Sequence, residues 1–240
     1  MQGTFYIVGV GPGDPQLLTL KGARILQETD IWFVPSAYRK GGSRALEIAS
    51  GAVETAGKKI LSHHFPMKRV QRGQAPDAEI QQAWRKAASI VVRCLDEGED
   101  VAFPTLGDPA IYSTGFYVIE TLQAYGSSFH FEIVPGISSM GAVSASSGLP
   151  LCLGDERFVV IPAAFEDEKI RLLLDCGEAF VFMKVHKALE RIIGILDELD
   201  LVDNAVLIER ASFADERVWT NIREAVGEEL HYFSSLIVRK

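Results

Sequence analysis

The sequence predicts an α/β protein of two unlike domains: a mostly parallel five-stranded sheet, then a mixed five-stranded sheet. Three observations predict it. Over the first 136 residues, five short apolar runs alternate with segments of helical period, the signature of successive βαβ units. Several of these runs are nearly continuous, as strands covered on both faces are. After Val134-Pro135-Gly136 the pattern changes, and two strand signals close together near the end suggest a hairpin with antiparallel pairing. The expected domains are therefore 1–136 and 137–240.

The strand expectations in the first domain are 4–10, 30–34, 59–62, 100–103 and 129–134. Helical spacing fits between them at 17–27, 43–50, 77–95 and 114–124. The second domain begins with a small-residue helix at 138–147, then a strand at 158–161, a charged helix at 167–174 and a strand at 179–185. A helix at 189–199 gathers Leu189, Ile192, Ile193, Leu196 and Leu199 on one face. Strands at 205–209, 217–221 and 235–239 complete the set, with no internal repeat.

Composition narrows the function. Of 240 residues 48% are hydrophobic and 23% charged, which fits a globular chain and not a disordered one. A net charge of −8 argues against a whole-surface nucleic-acid binder. Cys94, Cys152 and Cys176 form no CxxC pair, so neither a zinc knuckle nor a disulfide scaffold is expected, and no protein-bound metal. The N-terminus lacks a basic segment followed by an unbroken apolar run. The uncharged stretch 133–154 holds too many Pro, Gly and Ser residues for a membrane span. A cytoplasmic, reducing location is the expectation.

Three glycine-bearing loops carry the functional signal. Gly9-Val10-Gly11-Pro12-Gly13-Asp14 follows the first strand. It lacks the third glycine of a dinucleotide fingerprint, and Pro12 and Pro15 have no N–H to offer a phosphate. Thr105-Leu106-Gly107-Asp108-Pro109-Ala110-Ile111-Tyr112 follows the fourth strand, and Val134-Pro135-Gly136-Ile137-Ser138-Ser139 the fifth. In a parallel sheet all three emerge at the carboxyl edge, where open α/β sheets hold ligands. Rigid loops rich in carbonyls and hydroxyls suit a small polar ligand with little negative charge. Asp108 reads equally as a charge facing a cationic ligand or as a turn-capping carboxylate.

The segments GVGPGDPQLLTLKG, TLGDPAIYST and VPGISS, in this order, resemble the tetrapyrrole methylase family along nearly the whole chain. The resemblance implies a methyltransferase that binds S-adenosylmethionine in a cleft between two α/β domains and releases S-adenosylhomocysteine. By position it implies cofactor contacts from Pro12, Leu106, Gly107, Asp108, Ile111, Ser138, Ser139, Met183 and Ala211. Ser138-Ser139 stands where Thr-Ala is commoner. Met183 taken alone reads as core filling. Methyl transfer from a sulfonium needs alignment and exclusion of water, and no metal. Tyr112 is the candidate for lining the acceptor side and relaying a proton, with Asp108 beside it.

Residues 31–75 hold eight basic and two acidic side chains, a local balance of +6, so the remainder carries −14. A basic zone on an acidic chain suits a polyanion recognised locally, such as an anionic tetrapyrrole. Arg39, Lys40, Arg44 and His63 are the candidate contacts; adjacent residues on a strand face opposite sides, so His63 and His64 cannot both line one site unless the strand has ended. Within the family, Phe33-Val34-Pro35-Ser36, Phe65-Pro66-Met67 and Tyr232-Phe233-Ser234-Ser235 resemble the subgroup methylating C-20 of precorrin-2 or its cobalt-loaded form. That resemblance also implies a homodimer. Another tetrapyrrole methylation, such as that of uroporphyrinogen III, and a non-catalytic sensor of the same ligands remain the alternatives.

Overall fold

The computed structural model describes residues 2–36, 42–66, 68, 70, 73–126 and 128–240. It divides into two compact units, Met1–Ser138 and Ser139–Lys240, the join lying two residues past Gly136.

In the first unit β1 (Thr4–Gly9), α1 (Leu20–Glu28), β2 (Ile31–Ser36), α2 (Arg44–Ala52), β3 (Lys59–His64), α3 (Ala78–Asp96), β4 (Val101–Thr105), α4 (Gly115–Ala124) and β5 (His130–Val134) follow in turn. The strands lie in the order β3-β2-β4-β1-β5, and every pairing is parallel. Phe5, Ile7, Phe33, Phe65 and Phe103 build one side of the core against Val91, Leu95, Val118 and Leu122. Phe5 meets Phe103 edge-on at 6.2 Å, the arrangement that aromatic quadrupoles favour. The first helix starts later than the periodicity suggests. Asp14 Oδ1 accepts from Gln16 N–H and caps a 3-10 turn at Pro15–Leu17; Thr19 then caps α1 by accepting from Gly22 N–H.

In the second unit α5 (Ser139–Ser147), β6 (Phe158–Pro162), α6 (Asp167–Leu174), β7 (Ala179–Met183), α7 (Leu189–Glu198), β8 (Ala205–Glu209), β9 (Arg217–Trp219) and β10 (Ser234–Arg239) form a sheet ordered β6-β7-β10-β8-β9. The pair β6–β7 is parallel and the other three pairs antiparallel, so the sheet is mixed and β8–β9 is the expected hairpin. Strand β7 stops at Met183, two residues short of the sequence expectation, because Lys184 turns the chain at φ +63°. Ile192, Ile193, Ile195 and Leu196 of α7 pack into a core with Phe180, Phe182, Leu207 and Leu236.

Among the described residues no helix is long and apolar enough to cross a membrane, and no group of three or more His, Cys, Asp or Glu side chains is arranged to hold a metal ion.

Candidate functional site

The carboxyl edge of the first sheet is closed by glycine packing. A Cβ on Gly136 would stand 2.4 Å from Gly107 O, and one on Gly9 would stand 2.7 Å from Gly136 Cα. Only hydrogen fits in either place, so the turns after β1, β4 and β5 sit backbone to backbone. Gly107 N–H donates to Gly11 O at 2.7 Å and Gly11 N–H to Gly107 O at 3.3 Å. Sequence reasoning expected these loops to offer free carbonyls; at Gly11 and Gly107 the carbonyls instead accept from each other's loops. Gly107 also takes φ +71°, a conformation open to glycine at no steric cost.

Asp108 completes the closure. Its Oδ1 accepts from Ala110 N–H at 2.7 Å and its Oδ2 from Gly136 N–H at 2.9 Å. Both oxygens are thus bonded to backbone donors, which matches the capping reading and makes Asp108 a positioning residue joining the β4 and β5 turns. Pro12 is buried; Leu106 and Ile111 are half-buried, and Ile111 N–H donates to Asp108 O at 3.1 Å. Below them Thr105 Oγ1 and Ser113 Oγ share a buried hydrogen bond of 3.1 Å. Tyr112 is 62% exposed and held at φ +55°, so the turn presents its ring to the outside. Ser138, half-buried, ends the first unit, and Ser139, also half-buried, opens α5.

In the second unit Met183 and Ala211 share one edge of the sheet. Register places Pro162 beside Met183, Met183 beside Ser235, and Ser235 beside Ile208. Beyond β8 the chain turns sharply, with Arg210 at φ +53° and Ser212 at φ +67° on either side of buried Ala211. Two carboxylates that sequence reasoning passed over fix this turn. Glu209, 3% exposed, accepts from Arg217 Nε and from the His231 N–H. Burial alone would raise its pKa; the guanidinium and the amide outweigh burial and hold it below the ordinary carboxylate range. Glu216 accepts from Ser212 N–H and from Ser146 Oγ. The first could have been read in the sequence: Glu209 and Arg217 stand opposite each other across the hairpin. The second pairs residues 70 apart and left no local sign.

The substrate-side expectations fare differently. Arg39 and Lys40 lie outside the described residues. Arg44 opens α2 and pairs with Glu47 Oε2 at 2.5 Å, with half its side chain exposed. His63 is turned into the sheet–helix interface: Nε2 bonds Ala83 O at 2.9 Å, and the ring lies against Phe33 and Phe65. Burial pushes its pKa down. The basic zone is also less open than its count suggests. Lys68 pairs with Asp77 and Glu79, which lie just past the 31–75 window, and buried Lys58 donates to Gln27 O.

At this edge Pro12, Pro15 and Pro135 have no N–H to donate, and the N–H groups of Gly11, Gly107 and Gly136 are already bonded within the turns.

The two sheets and this edge define a class of enzyme, and comparison with known proteins agrees. Residues 4–226 match the family model of the tetrapyrrole (corrin/porphyrin) methylases, so the chain belongs to that family. It is 31% identical to the cobalt-precorrin-2 C(20)-methyltransferase of Salmonella typhimurium, covering 100% of this chain and 98% of the relative. It is 34% identical to a probable enzyme of the same name from Methanocaldococcus jannaschii, over 98% and 95% of the two chains. Among solved structures, a cobalt precorrin-4 methyltransferase matches at TM-score 0.72 and 19% identity, covering 98% of this chain and 94% of the other. The uroporphyrin-III C-methyltransferase of Thermus thermophilus, complexed with S-adenosylhomocysteine, matches at TM-score 0.66 and 22% identity over 99% and 98%.

Proposed function

We propose that this methylase transfers a methyl group from S-adenosylmethionine to the C-20 meso carbon of precorrin-2 or its cobalt-loaded form. The observation that carries the reading is whole-length similarity to C-20-methyltransferases at 31% and 34% identity, with both chains covered almost completely. When bound, S-adenosylmethionine supplies an electrophilic methyl group on a sulfonium sulfur.

The chain's own residues bind and orient. Pro12, Leu106, Gly107, Ile111, Ser138 and Ser139 in the first unit, and Met183 and Ala211 in the second, each supply part of the cofactor's surroundings. Asp108 holds the β4 and β5 turns in register instead of meeting the ligand itself. Rigid loops fix the donor relative to the acceptor, which is the main contribution protein can make to a displacement needing no acid, base or metal at the carbon–sulfur step. Tyr112, exposed on its turn, lines the acceptor side. We extend the proposal to a cytoplasmic homodimer; light scattering at twice the 26.4 kDa chain mass checks the assembly.

The test is incubation of metal-free and cobalt-loaded precorrin-2 with 13C-methyl-labelled cofactor, followed by NMR of the product. One labelled methyl on the meso carbon supports the reading. A label on a pyrrole carbon moves the chain to another activity of the family, and cofactor binding without transfer makes it a sensor.

A further inference from the structure

We infer that His64 recognises a carboxylate of the macrocycle, a role that sequence reasoning gave to its neighbour His63. The inference rests on the tetrapyrrole reading above and adds a specificity-determining residue to it.

His64 is the last residue of β3 and therefore stands at the carboxyl edge that carries the glycine turns. Its Nδ1 is buried and has no hydrogen-bond partner; among the described residues only the Nδ1 of His186 shares that condition. The large majority of buried side-chain polar atoms have a partner in the protein or in ordered water, so an unpaired ring nitrogen at this edge calls for a partner from outside the chain, and the proposal assigns it to a ligand oxygen. His63 cannot take the role, since its Nε2 already bonds Ala83 O and its ring packs between Phe33 and Phe65. Alternation along the strand sends His64 to the opposite face, the face of its in-register neighbour Ser36.

Position along the edge separates two roles. Ser36 is level with His64, and β3 is two strands from β4, whose pairing with β2 is shown only at Ile31–Val101 and Trp32–Ala102. At about 4.8 Å per strand, His64 is therefore separated from the Leu106–Gly107 turn by about 10 Å or more. A group that removed the proton from the reacting carbon would have to lie within about 3 Å of it, and that carbon must lie beside the methyl donor. A separation of that size suits instead a carboxylate at the rim of the macrocycle. An imidazole N–H meets that oxygen with a charge-assisted hydrogen bond. Arg44, at the start of α2, has half its side chain exposed and pairs with Glu47.

The experiment compares wild type with His64→Ala and His64→Asn in steady-state assays on precorrin-2, with S-adenosylhomocysteine affinity measured on each. The asparagine amide puts an N–H close to the position of Nδ1 and cannot act as a base. The expected result is a rise of about tenfold in KM for the macrocycle in His64→Ala, with kcat and cofactor affinity unchanged, and recovery to within about threefold in His64→Asn. Unchanged KM in His64→Ala overturns the proposal. So does a fall in kcat that the asparagine fails to restore, which would assign His64 to proton transfer. Wild type that turns over no tetrapyrrole overturns the functional reading and this inference with it, whereas an active wild type indifferent to His64 overturns the inference alone.

Discussion

Replacing Asp108 with asparagine separates the two roles its position allows. In the structure each carboxylate oxygen accepts one backbone N–H, from Ala110 at 2.7 Å and from Gly136 at 2.9 Å. An amide keeps one acceptor and turns an N–H2 toward the other donor, so one bond is lost and the survivor is no longer charge-assisted. Hydrogen bonds to charged groups contribute about 1.5–3 kcal/mol each, and the half-exposed position lowers that, giving a loss of about 2 kcal/mol. For a chain of this size that corresponds to a fall in Tm of about 4–8 °C. Because the loosened β4 and β5 turns would serve either ligand, S-adenosylmethionine and S-adenosylhomocysteine should weaken by the same factor. Calorimetric titration of both ligands, beside a thermal melt, reads all three quantities. A melt within about 0.5 kcal/mol of wild type, together with selective loss of the cationic ligand, would refute the reasoning. Asp108 would then act by charge and not by tying two turns.

Other perturbations follow from the same geometry. Gly136→Ala places a methyl group against Gly107 O and the Gly9 backbone, and should cost about 1–3 kcal/mol in urea unfolding and weaken S-adenosylhomocysteine binding. Glu209→Gln should cost about 1–3 kcal/mol at pH 7. Since the folded pKa of Glu209 is depressed, its stabilisation is complete above the unfolded carboxylate value and is lost as pH falls through the folded one. The variant should therefore show a flatter acid limb, measured by unfolding between pH 3 and about 6. His63 has its pKa lowered by burial, so the unfolded chain binds more protons just below the ordinary histidine value of about 6.5. Wild-type stability should rise with pH through that window and level off above it, and His63→Phe should reduce the slope.

The inner strands β1, β2 and β4 were legible because they are buried nearly throughout, which writes them as near-continuous apolar runs such as Ile31-Trp32-Phe33-Val34, whereas the edge strands β3 and β5 are more exposed and carry polar residues. The turns were legible through glycine and proline, whose backbone limits are local. What joins the turns was not. The Asp108–Gly136 bond spans 28 residues, and the choice between a free and a bonded carboxylate depends on where the second turn lands. The charge count over 31–75 left out nearby partners for a similar reason: Lys68 pairs with Asp77 and Glu79, just beyond the window. Strand β3 runs two residues past the expected 59–62, which puts His63 and His64 on opposite faces, and only packing against Phe33, Phe65 and Ala83 showed which of them is enclosed.

A crystal structure of the protein grown with S-adenosylhomocysteine is the most direct measurement. The account predicts the ligand's sulfur beside the Leu106–Gly107 turn, with the Asp108 carboxylate still bonded to Ala110 and Gly136. Ligand density anywhere else on the chain, or a phosphate seated on the glycine turns, would contradict it.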